Sequence, residues 1–429
     1  MSKKNKGVRS TSHSLKFAND GKLQQLTEIV EEYRRVCQWL VDLAWSGDIS
    51  FNGKKFDPTG KHIDIKSTYF DDQYLKMVDT WLSARMLQCI GKQAVGMLKS
   101  TCKKQSKRYY MLKKLQKEGK PTKYLQAKID RNPIVKPECF NINMELDGRF
   151  SDIRQGKHFD EFIRISSIGN KVLLNLPIKH TKCSRKWSKN AKRLNSIRLN
   201  EHTLSLLYEF EPKQKQRGKT LAIDQGSTTC CTVSDGQTTK PCKHGHDLKS
   251  IQKKLSRCKK GSKGFAKAQS HRRNYINWSI NQLDFRWVKK IRLEKLHDIG
   301  RGKRKSRSLS HWTYTMINDK IKQRCEFEGL KVLEIPNEFR SQRCNRCGWV
   351  QKSNRKSKQF CCRQCDHTAD ADDNAAQNLL LDLPEIDFFV RQGKYNREGF
   401  FWDADGIKLP CGEPIVSHNE KVKDICTYF

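Results

Sequence analysis

The sequence has no apolar run that approaches the roughly 20 residues required for a membrane-spanning helix. Its first residues, MSKKNKGVRSTSHS, also lack the apolar core of a signal peptide. We therefore expect a protein that neither crosses a membrane nor is exported, and we place it in the cytoplasm.

Acidic residues are scarce as well. The chain has 46 Asp and Glu against 85 Lys and Arg, which gives a formal net charge of +39. Because so large an excess of one sign repels itself, the composition predicts binding to a polyanion rather than to a small acidic substrate.

The 17 cysteines are an odd number, and outside two short motifs they are scattered singly. This distribution argues against a disulfide framework and for a reducing compartment, with some thiols bound to metal and others free. A length of 429 residues is sufficient for two or three domains with cores of their own.

The first half of the chain changes from a helical to a strand-like pattern. After a basic start that is weakly strand-like at residues 14–17, apolar residues from Leu26 to Ala44 fall on one helical stripe, which Gly47 ends. Helical spacing resumes near Asp72. From residue 133 to 211, alternating apolar and polar residues predict a small antiparallel sheet or barrel, and residues 212–218 resemble a linker.

The second helical stretch becomes strongly basic. Its charged residues include Lys103, Lys104, Lys107 and Arg108, with Tyr109, Tyr110 and Tyr124 interleaved. Such a stretch is either a solvated face or a contact surface for nucleic acid. The charge of the whole chain favours nucleic acid.

Three acidic residues in the second half each follow or begin an apolar element. Asp224 and Glu294 end predicted strands, and Asp372 stands in the first turn of a predicted helix. Taken singly, each has an ordinary explanation: a turn, a strand end, or a carboxylate favoured by the helix dipole. Asp372 shares a face with the apolar residues of its helix, which favours a cation-binding role.

Two Cys-x-x-Cys motifs lie between the second and third acids. Their members are Cys344, Cys347, Cys362 and Cys365, and this spacing predicts one zinc ion held by four thiolates. Cys361 precedes Cys362 and competes with it as a candidate ligand. Four thiolates leave no open position for water, so the zinc is expected to be structural.

Taken in this order, the acids and cysteines resemble the transposon-encoded TnpB nucleases and the miniature type V CRISPR effectors. The resemblance rests on residues 223–226, 293–296 and 370–376, and on the 339–344 approach to the cysteines. It is clear over residues 218–382. The second knuckle departs from the family pattern, because Asp366 follows its last cysteine where the family usually has glycine.

The resemblance implies a multidomain α+β protein. Its nuclease domain would be an RNase H-like (RuvC) α/β fold formed by residues 217–343 and 367–429, with a zinc ribbon inserted at 344–366. An OB-like β-barrel wedge domain, residues 1–22 and 132–216, would precede it and be interrupted by a helical recognition domain at 23–131. Residues 383–429, including the aromatic and acidic segment 400–405, have no assigned role.

The resemblance also implies an activity, namely RNA-guided DNA cleavage by two-metal-ion phosphodiester hydrolysis. Asp224, Glu294 and Asp372 would hold two Mg²⁺ ions, or Mn²⁺, with Asp224 bridging both, while Asp370 and Asp373 face elsewhere. The partners would be a guide RNA and double-stranded target DNA, bound by one or two copies of a prokaryotic protein. Two other functions stay open: a nuclease-silent RNA-guided DNA-binding protein, and a guide-independent nuclease or transposon accessory factor.

Further basic residues are expected to contact nucleic acid around the nuclease domain. One group forms a loop expected to lie over phosphates, and the other is presented by the zinc ribbon. They are Arg301, Lys303, Arg304, Lys305 and Arg307 in the loop, and Arg343 and Arg346 in the ribbon, with Lys352, Arg355 and Lys356 beside them.

Overall fold

A computed structural model of the chain describes residues 6–47, 49–51, 54–57, 59, 69–295, 314–386, 390 and 395–410. The chain divides into two compact units, Met1–Glu211 and Pro212–Phe429. Each unit combines helices with β-sheets, so the fold is mixed α/β. In the described part of the chain, no helix has the length and apolar character needed to span a membrane.

The first unit contains a helical segment between strands. Its helices are α1 (Asp20–Trp45), α2 (Asp72–Lys76), α3 (Ala84–Lys117), α4 (Lys123–Asp130) and α5 (Lys182–Asn190). Its strands are β1 (Gly7–Ser14), β2 (Ser50–Phe51), β3 (Lys54–Lys55), β4 (Met144–Leu146), β5 (Ser151–Gln155), β6 (Glu161–Ile165), β7 (Leu174–Ile178), β8 (Lys192–Leu199) and β9 (Thr203–Phe210).

Helix α1 forms because it has both a cap and an apolar stripe. The Asn19 side chain accepts a hydrogen bond from the Lys22 backbone N–H at 3.1 Å, which satisfies one of the free donors of the first turn. The predicted stripe from Leu26 to Ala44 is confirmed, and every residue in it is buried. The helix stops before Gly47, whose positive φ of 82° suits glycine.

Two antiparallel sheets follow in the first unit. One has the strand order β1-β9-β8-β4 and the other β5-β6-β7. Strand β9 alternates as predicted, with Leu204, Leu206, Tyr208 and Phe210 buried. β1 pairs with β9 along its length, from Gly7 opposite Phe210 to Ser14 opposite Thr203. The prediction of a strand at residues 14–17 was therefore wrong, because the strand ends where that prediction began.

Helix α5 was missed within the stretch predicted to contain only strands. Its sequence, KCSRKWSKN, is mostly polar, and Ser184 is its one buried residue. The helix begins because Thr181 Oγ1 accepts a hydrogen bond from the Ser184 N–H at 3.1 Å. A helix stabilised by its cap, without an apolar stripe, leaves no periodic signal in the sequence.

The second unit has a central sheet and two small sheets. Its elements are β10 (Lys219–Asp224), β11 (Thr232–Val233), α6 (Leu248–Arg257), α7 (Lys263–Gln282), β12 (Val288–Lys295), α8 (Tyr314–Glu328), β13 (Lys331–Pro336), β14 (Trp349–Val350), β15 (Arg355–Lys356), β16 (Gln359–Cys361), β17 (Thr368–Asp370), α9 (Ala371–Leu380), β18 (Phe400–Asp403) and β19 (Gly406–Lys408).

The central sheet has the strand order β11-β10-β12-β13. β10 is antiparallel to β11, while β10, β12 and β13 run parallel to one another. Side chains alternate between the two faces of a strand. On one face, Leu221, Ile223, Ile291 and Leu293 form a core with helices α6, α7 and α8. On the other face, Ala222 of β10 packs against Leu379 of α9.

The aromatic segment near the C-terminus packs on the ribbon, which comprises residues 344–366. β18 pairs with β14, so that Phe401 lies opposite Trp349, and the two rings have centroids 4.9 Å apart. Gly399 permits this approach, since a Cβ at that position would lie 1.9 Å from the Trp349 ring. The segment that the sequence left without a role is therefore part of the fold around the ribbon.

Candidate functional site

The register of the central sheet brings Asp224 and Glu294 together. Ile223 of β10 pairs with Leu293 of β12, and Asp224 and Glu294 are the next residues on these parallel strands. Because Ile223 and Leu293 both face helices α6 to α8, alternation places the two carboxylates on the face covered by α9.

Asp372 reaches the same face from α9. The predicted helix start is confirmed, since α9 begins at Ala371 and Asp372 is 4% exposed. The turn that follows β10 passes close to it: a Cβ at Gly226 would lie 3.8 Å from Asp372 Oδ2. Asp370 has a different role, because its Oδ1 caps the helix by accepting the Asp372 N–H at 2.8 Å. We call Asp224, Glu294 and Asp372 the carboxylate site.

The three carboxylates act on one another electrostatically. Burial, followed by the charge of Asp372, raises the pKa of Asp224 to about 7. Burial, followed by the charge of Asp224, raises the pKa of Glu294 to about 8. Like charges in a site withdrawn from water disfavour ionisation, and a cation at the site reverses this effect.

Two side chains of the ribbon supply positive charge to the carboxylate site. The Arg355 guanidinium donates from Nη2 to Asp372 Oδ1 at 3.0 Å. The Lys358 ammonium donates to Asp372 Oδ2 and, at 3.2 Å, to Thr229 Oγ1. The charges of Arg355 and Lys358 both lower the pKa of Asp224, opposing the effect of burial.

The donor set of the carboxylate site suits hard divalent cations. Carboxylate oxygens are the ligands that Mg²⁺ and Mn²⁺ prefer, and these ions usually retain water and bind phosphate oxygens as well. The pKa values of Asp224 and Glu294 are raised, and two cationic side chains pair with Asp372. Both features indicate an excess of negative charge that a bound cation would neutralise. The residues present therefore fit Mg²⁺ or Mn²⁺.

The four predicted cysteines form a second cluster. Their sulfur atoms all lie within 4.8 Å of one another, with Cys344 Sγ 3.7 Å from Cys365 Sγ and Cys347 Sγ 3.5 Å from Cys362 Sγ. Tetrahedral zinc with Zn–S bonds of about 2.3 Å requires sulfur separations of roughly 3.8 Å. The cluster fits that geometry, and among the described residues it is the one group of this kind.

The backbone of each knuckle explains its sequence. Gly348, after Cys347, has φ 81°, and Asp366, after Cys365, has φ 52°. Both values lie in the left-handed region that glycine adopts readily and that aspartate tolerates better than most residues. The departure at Asp366 is therefore compatible with an intact knuckle. Cys362 belongs to the sulfur cluster, whereas Cys361 lies in β16, which removes Cys361 as the competing ligand.

Comparison with known proteins supports the resemblance to the TnpB nucleases and the miniature type V effectors. The profile of the Cas12f1-like TNB domain matches residues 314–379, which include all four clustered cysteines and Asp372. The chain is 39% identical over 101 residues, 23% of its length, to the CRISPR-associated endodeoxyribonuclease Cas12f1 of Sulfoacidibacillus thermotolerans. It is 27% identical over 192 residues, 37% of its length, to the InsQ protein of Escherichia coli K12. Over these regions the chain is similar to the miniature type V effector Cas12f1 and to the TnpB-like protein InsQ.

These matches are partial. They span 22% of the Cas12f1 and 48% of InsQ, so less than half of either relative is covered. A solved structure of a Cas12f1–sgRNA–target DNA complex covers 88% of this chain and 99% of its own, with 14% identity and a TM-score of 0.45.

Two asparagines one turn apart hold helix α9 against the ribbon. Asn374 Oδ1 accepts the Asn345 N–H at 3.0 Å, and Asn374 Nδ2 donates to the Arg343 carbonyl at 2.8 Å. Asn378 Nδ2 donates to the same carbonyl at 2.7 Å. The helix that carries Asp372 therefore takes its position from the first cysteine knuckle.

Buried arginines fix the other end of α9. Arg292 Nη1 donates to the Leu380 carbonyl at 2.7 Å, and Arg340 Nη1 donates to the Leu381 carbonyl at 3.2 Å. Both side chains are 4% exposed, and burial, with the nearby charges of Arg292 and Arg343, lowers the pKa of Arg340 to about 10. Guanidinium groups at a helix C-terminus satisfy carbonyls that have no partner within the helix.

The structure buries Arg343, which the sequence predicted to contact nucleic acid. Its side chain is 5% exposed and donates to the Trp402 carbonyl at 2.6 Å and to Asn378 Oδ1 at 2.7 Å. Burial lowers its pKa. Through Nε and Nη1 this buried guanidinium connects the knuckle, α9 and the C-terminal strands.

The other predicted nucleic-acid contacts have varied positions. Lys103, Lys107 and Arg346 are exposed, whereas Arg108 is half-buried and donates to Gln105 Oε1 at 2.8 Å. The side chain of Lys104 and the predicted loop lie outside the described residues, which removes Arg301, Lys303, Arg304, Lys305 and Arg307 from structural comparison.

The sequence had suggested Arg355 only as part of a surface for nucleic acid, and Lys358 not at all. A single lysine or arginine in the polar bridge between two knuckles has no pattern that marks it. The hairpin of β15 and β16 folds these residues back against α9, and only that tertiary contact shows their position beside Asp372.

Proposed function

We propose that the chain is an RNA-guided DNA endonuclease whose second unit has an RNase H-like (RuvC) fold. The observation that carries the proposal is the meeting of Asp224, Glu294 and Asp372 on one face of the central sheet, beside a four-cysteine ribbon. The name of the related Cas12f1, an endodeoxyribonuclease, supports this, and InsQ is provisionally named an RNA-guided DNA endonuclease.

In this proposal, Asp224, Glu294 and Asp372 would hold two Mg²⁺ or Mn²⁺ ions. When bound, these ions supply stabilisation of the charge that develops on the attacking and leaving oxygens of a phosphodiester. The parallel register of β10 and β12 places Asp224 and Glu294 side by side on neighbouring strands. The capped start of α9 fixes the position of Asp372. Arg355 and Lys358 neutralise Asp372 in the free protein.

The ribbon would hold one structural Zn²⁺ through Cys344, Cys347, Cys362 and Cys365. Its fold matters to catalysis because the first knuckle positions α9 and the hairpin after it carries Arg355 and Lys358. We assign the ribbon a second role in contact with target DNA through exposed residues such as Arg346.

The first unit would carry the guide RNA. We assign residues 23–131 to a helical recognition domain, and residues 1–22 with 132–216 to an OB-like wedge domain. In support, β1 precedes the helical segment and pairs with β9, which follows it, so one sheet joins the two sides of the insertion. Lys103 and Lys107 are exposed on α3, which also carries Tyr110, and Tyr124 lies on α4. The two tyrosines are 72% and 80% exposed. Cations and exposed rings together suit single-stranded nucleic acid.

The two other functions have less support. A nuclease-silent relative would be expected to lose at least one acid of the carboxylate site, and all three are present. A guide-independent nuclease would have no use for a basic unit of some 210 residues ahead of the nuclease half.

The test begins with the RNA that copurifies with the full chain. Sequencing that RNA defines the guide, and a plasmid library carrying the complementary sequence beside randomised bases defines the flanking DNA motif. We expect Mg²⁺-dependent cutting of library members with one flanking motif. Cutting of DNA without a matching RNA would support the guide-independent nuclease, and RNA-directed binding without cutting would support the silent relative.

A further inference from the structure

A second basic surface lies on the helical hairpin α6–α7 of the second unit. From Leu248 to Leu283 the sequence has seven lysines, three arginines and no acidic residue. Nine of these cations are exposed. Six of them follow one another along the two helices and the turn between them: Lys249, Lys253, Arg257, Lys260, Lys263 and Lys267. We call these six residues the hairpin surface.

The spacing of the hairpin surface follows from the packing of its helices. Helix α6 buries Leu248, Ile251, Gln252 and Leu255 against the core, which leaves the opposite side to water. Lys249, Lys253 and Arg257 recur every four residues, so they form a row along one side with a rise of roughly 6 Å between neighbours. Such a row can track successive phosphates along one strand.

Within the part of the chain that the structure describes, the hairpin surface has no acidic partner. Among the described residues, no ion pair involves any of its six side chains. Elsewhere in the unit a partly exposed cation is paired with an acid, since Lys322 Nζ lies 2.7 Å from Glu334 Oε1. A row of like charges without partners repels itself, and a polyanion relieves that repulsion.

The position of the hairpin surface separates it from the cleavage site. Helices α6 and α7 pack on the sheet face that carries Leu221 and Ile223. The carboxylate site lies on the other face, with α9 and the ribbon. A DNA strand held at Asp372 therefore lies across the sheet from the hairpin surface, which is free for a different polyanion.

We propose that the hairpin surface binds the sugar–phosphate backbone of the guide RNA. This inference rests on the proposed function, which requires both a guide RNA and a target DNA. The DNA that is cut must reach the carboxylate site, so the guide RNA is the polyanion that we assign to the hairpin surface. The contacts are cations on phosphates, so they fix the position of the RNA and do not read its sequence.

The first test is lysine acetylation of the full chain, read by mass spectrometry. The protein is stripped of nucleic acid, then labelled alone, with the RNA extracted from the wild-type protein, and with a DNA duplex of equal length. Lys219, Lys289 and Lys331 are the controls, since they are exposed and lie at the starts of β10, β12 and β13, away from the carboxylate end. We expect RNA to slow acetylation of the five hairpin lysines, Lys249, Lys253, Lys260, Lys263 and Lys267, at least threefold, with no change at the controls.

The second test is the salt dependence of RNA binding. Replacing Lys249, Lys253 and Arg257 by Gln should lower the slope of log affinity against log salt by roughly 2 to 3, since each phosphate contact contributes about 0.7–0.9. The matched variant with Gln at Lys219, Lys289 and Lys331 should keep the wild-type slope. Zinc content and melting temperature establish that both variants are folded.

The outcomes separate this inference from the proposed function. One outcome is that RNA directs cutting while the hairpin lysines are unprotected, or are protected no more than the controls. In that case the hairpin surface is only a solvated face, and this inference fails while the proposed function stands. Protection by the DNA duplex and not by RNA would overturn it in favour of a DNA surface. If no RNA copurifies and none directs cutting, the proposed function fails first.

Discussion

The Arg355 guanidinium donates a hydrogen bond to Asp372 Oδ1 at 3.0 Å and so links the ribbon to the carboxylate site. Lys358, three residues later in the same hairpin, contacts the other oxygen of that carboxylate. Asp372 is buried, and each of its carboxylate oxygens contacts a cationic side chain of the protein. A divalent cation that binds Asp372 must compete with these side chains.

Lys358→Met should therefore strengthen metal binding by the protein free of nucleic acid. We expect the affinity for Mn²⁺ to rise roughly threefold, because a partly exposed ion pair is worth about 0.5–1 kcal/mol. Titration followed by electron paramagnetic resonance measures the free ion. Lys356→Met is the control, since Lys356 is exposed in the same hairpin, and it should have no effect. Unchanged or weaker binding in Lys358→Met would show that Lys358 does not compete for the site.

The cysteine cluster should bind about one zinc ion per chain, as measured by elemental analysis. Cys344→Ser and Cys362→Ser should each lower the zinc content and the melting temperature, because metal binding is part of folding in such sites. Cys361→Ser is the matched control, because Cys361 adjoins Cys362 but lies outside the cluster. Zinc loss in Cys361→Ser with none in Cys362→Ser would shift the ligand assignment by one residue.

Substitutions of Arg343 and Arg346 should differ in their effect on stability, although the two residues are close in the sequence. Arg343→Met leaves the Trp402 carbonyl and Asn378 Oδ1 without a donor, and each unpaired buried group costs about 1–3 kcal/mol. We expect a clear fall in the melting temperature. Arg346 is exposed, so Arg346→Met should change stability by no more than about 0.5 kcal/mol. Equal melting temperatures for the two variants would contradict the connecting role of Arg343.

Gly399 tests the packing of the C-terminal strands on the ribbon. Gly399→Ala should lower the melting temperature, because the added Cβ would meet the Trp349 ring and φ is 109°. Gly406→Ala is matched for backbone conformation, with φ 133°, but its Cβ would meet nothing within 4 Å. It should therefore cost less. If the two substitutions cost the same, backbone strain alone accounts for both and the contact with Trp349 has no weight.

The parts of the fold that depend on a local sequence pattern could be predicted. The stripe of α1 and the alternation of β9 were confirmed residue by residue, since burial of one face repeats with the period of the element. The start of α9 was predictable for the same reason, and the four cysteines because their spacing reflects metal geometry. Each of these signals is contained in one short, continuous stretch of the sequence.

Features that depend on distant contacts were not predictable. Arg343 has the composition of a surface residue, and its burial depends on Trp402, which lies 59 residues away. The segment from Phe400 had no interpretation until its pairing with β14 was known. The positions of Arg355 and Lys358 likewise require the fold of the ribbon against α9.

The most direct measurement of the central claim is RNA-directed DNA cleavage by Asp224→Ala beside the wild-type protein. Both are loaded with the copurifying RNA and given matching DNA and Mg²⁺, and binding is measured in the same samples by gel shift. The account predicts that Asp224→Ala binds RNA and DNA with near wild-type affinity and does not cut, while Asp373→Asn, at an exposed neighbouring acid, still cuts. Cleavage retained in Asp224→Ala, or lost together with RNA and DNA binding, would contradict the assignment of the carboxylate site.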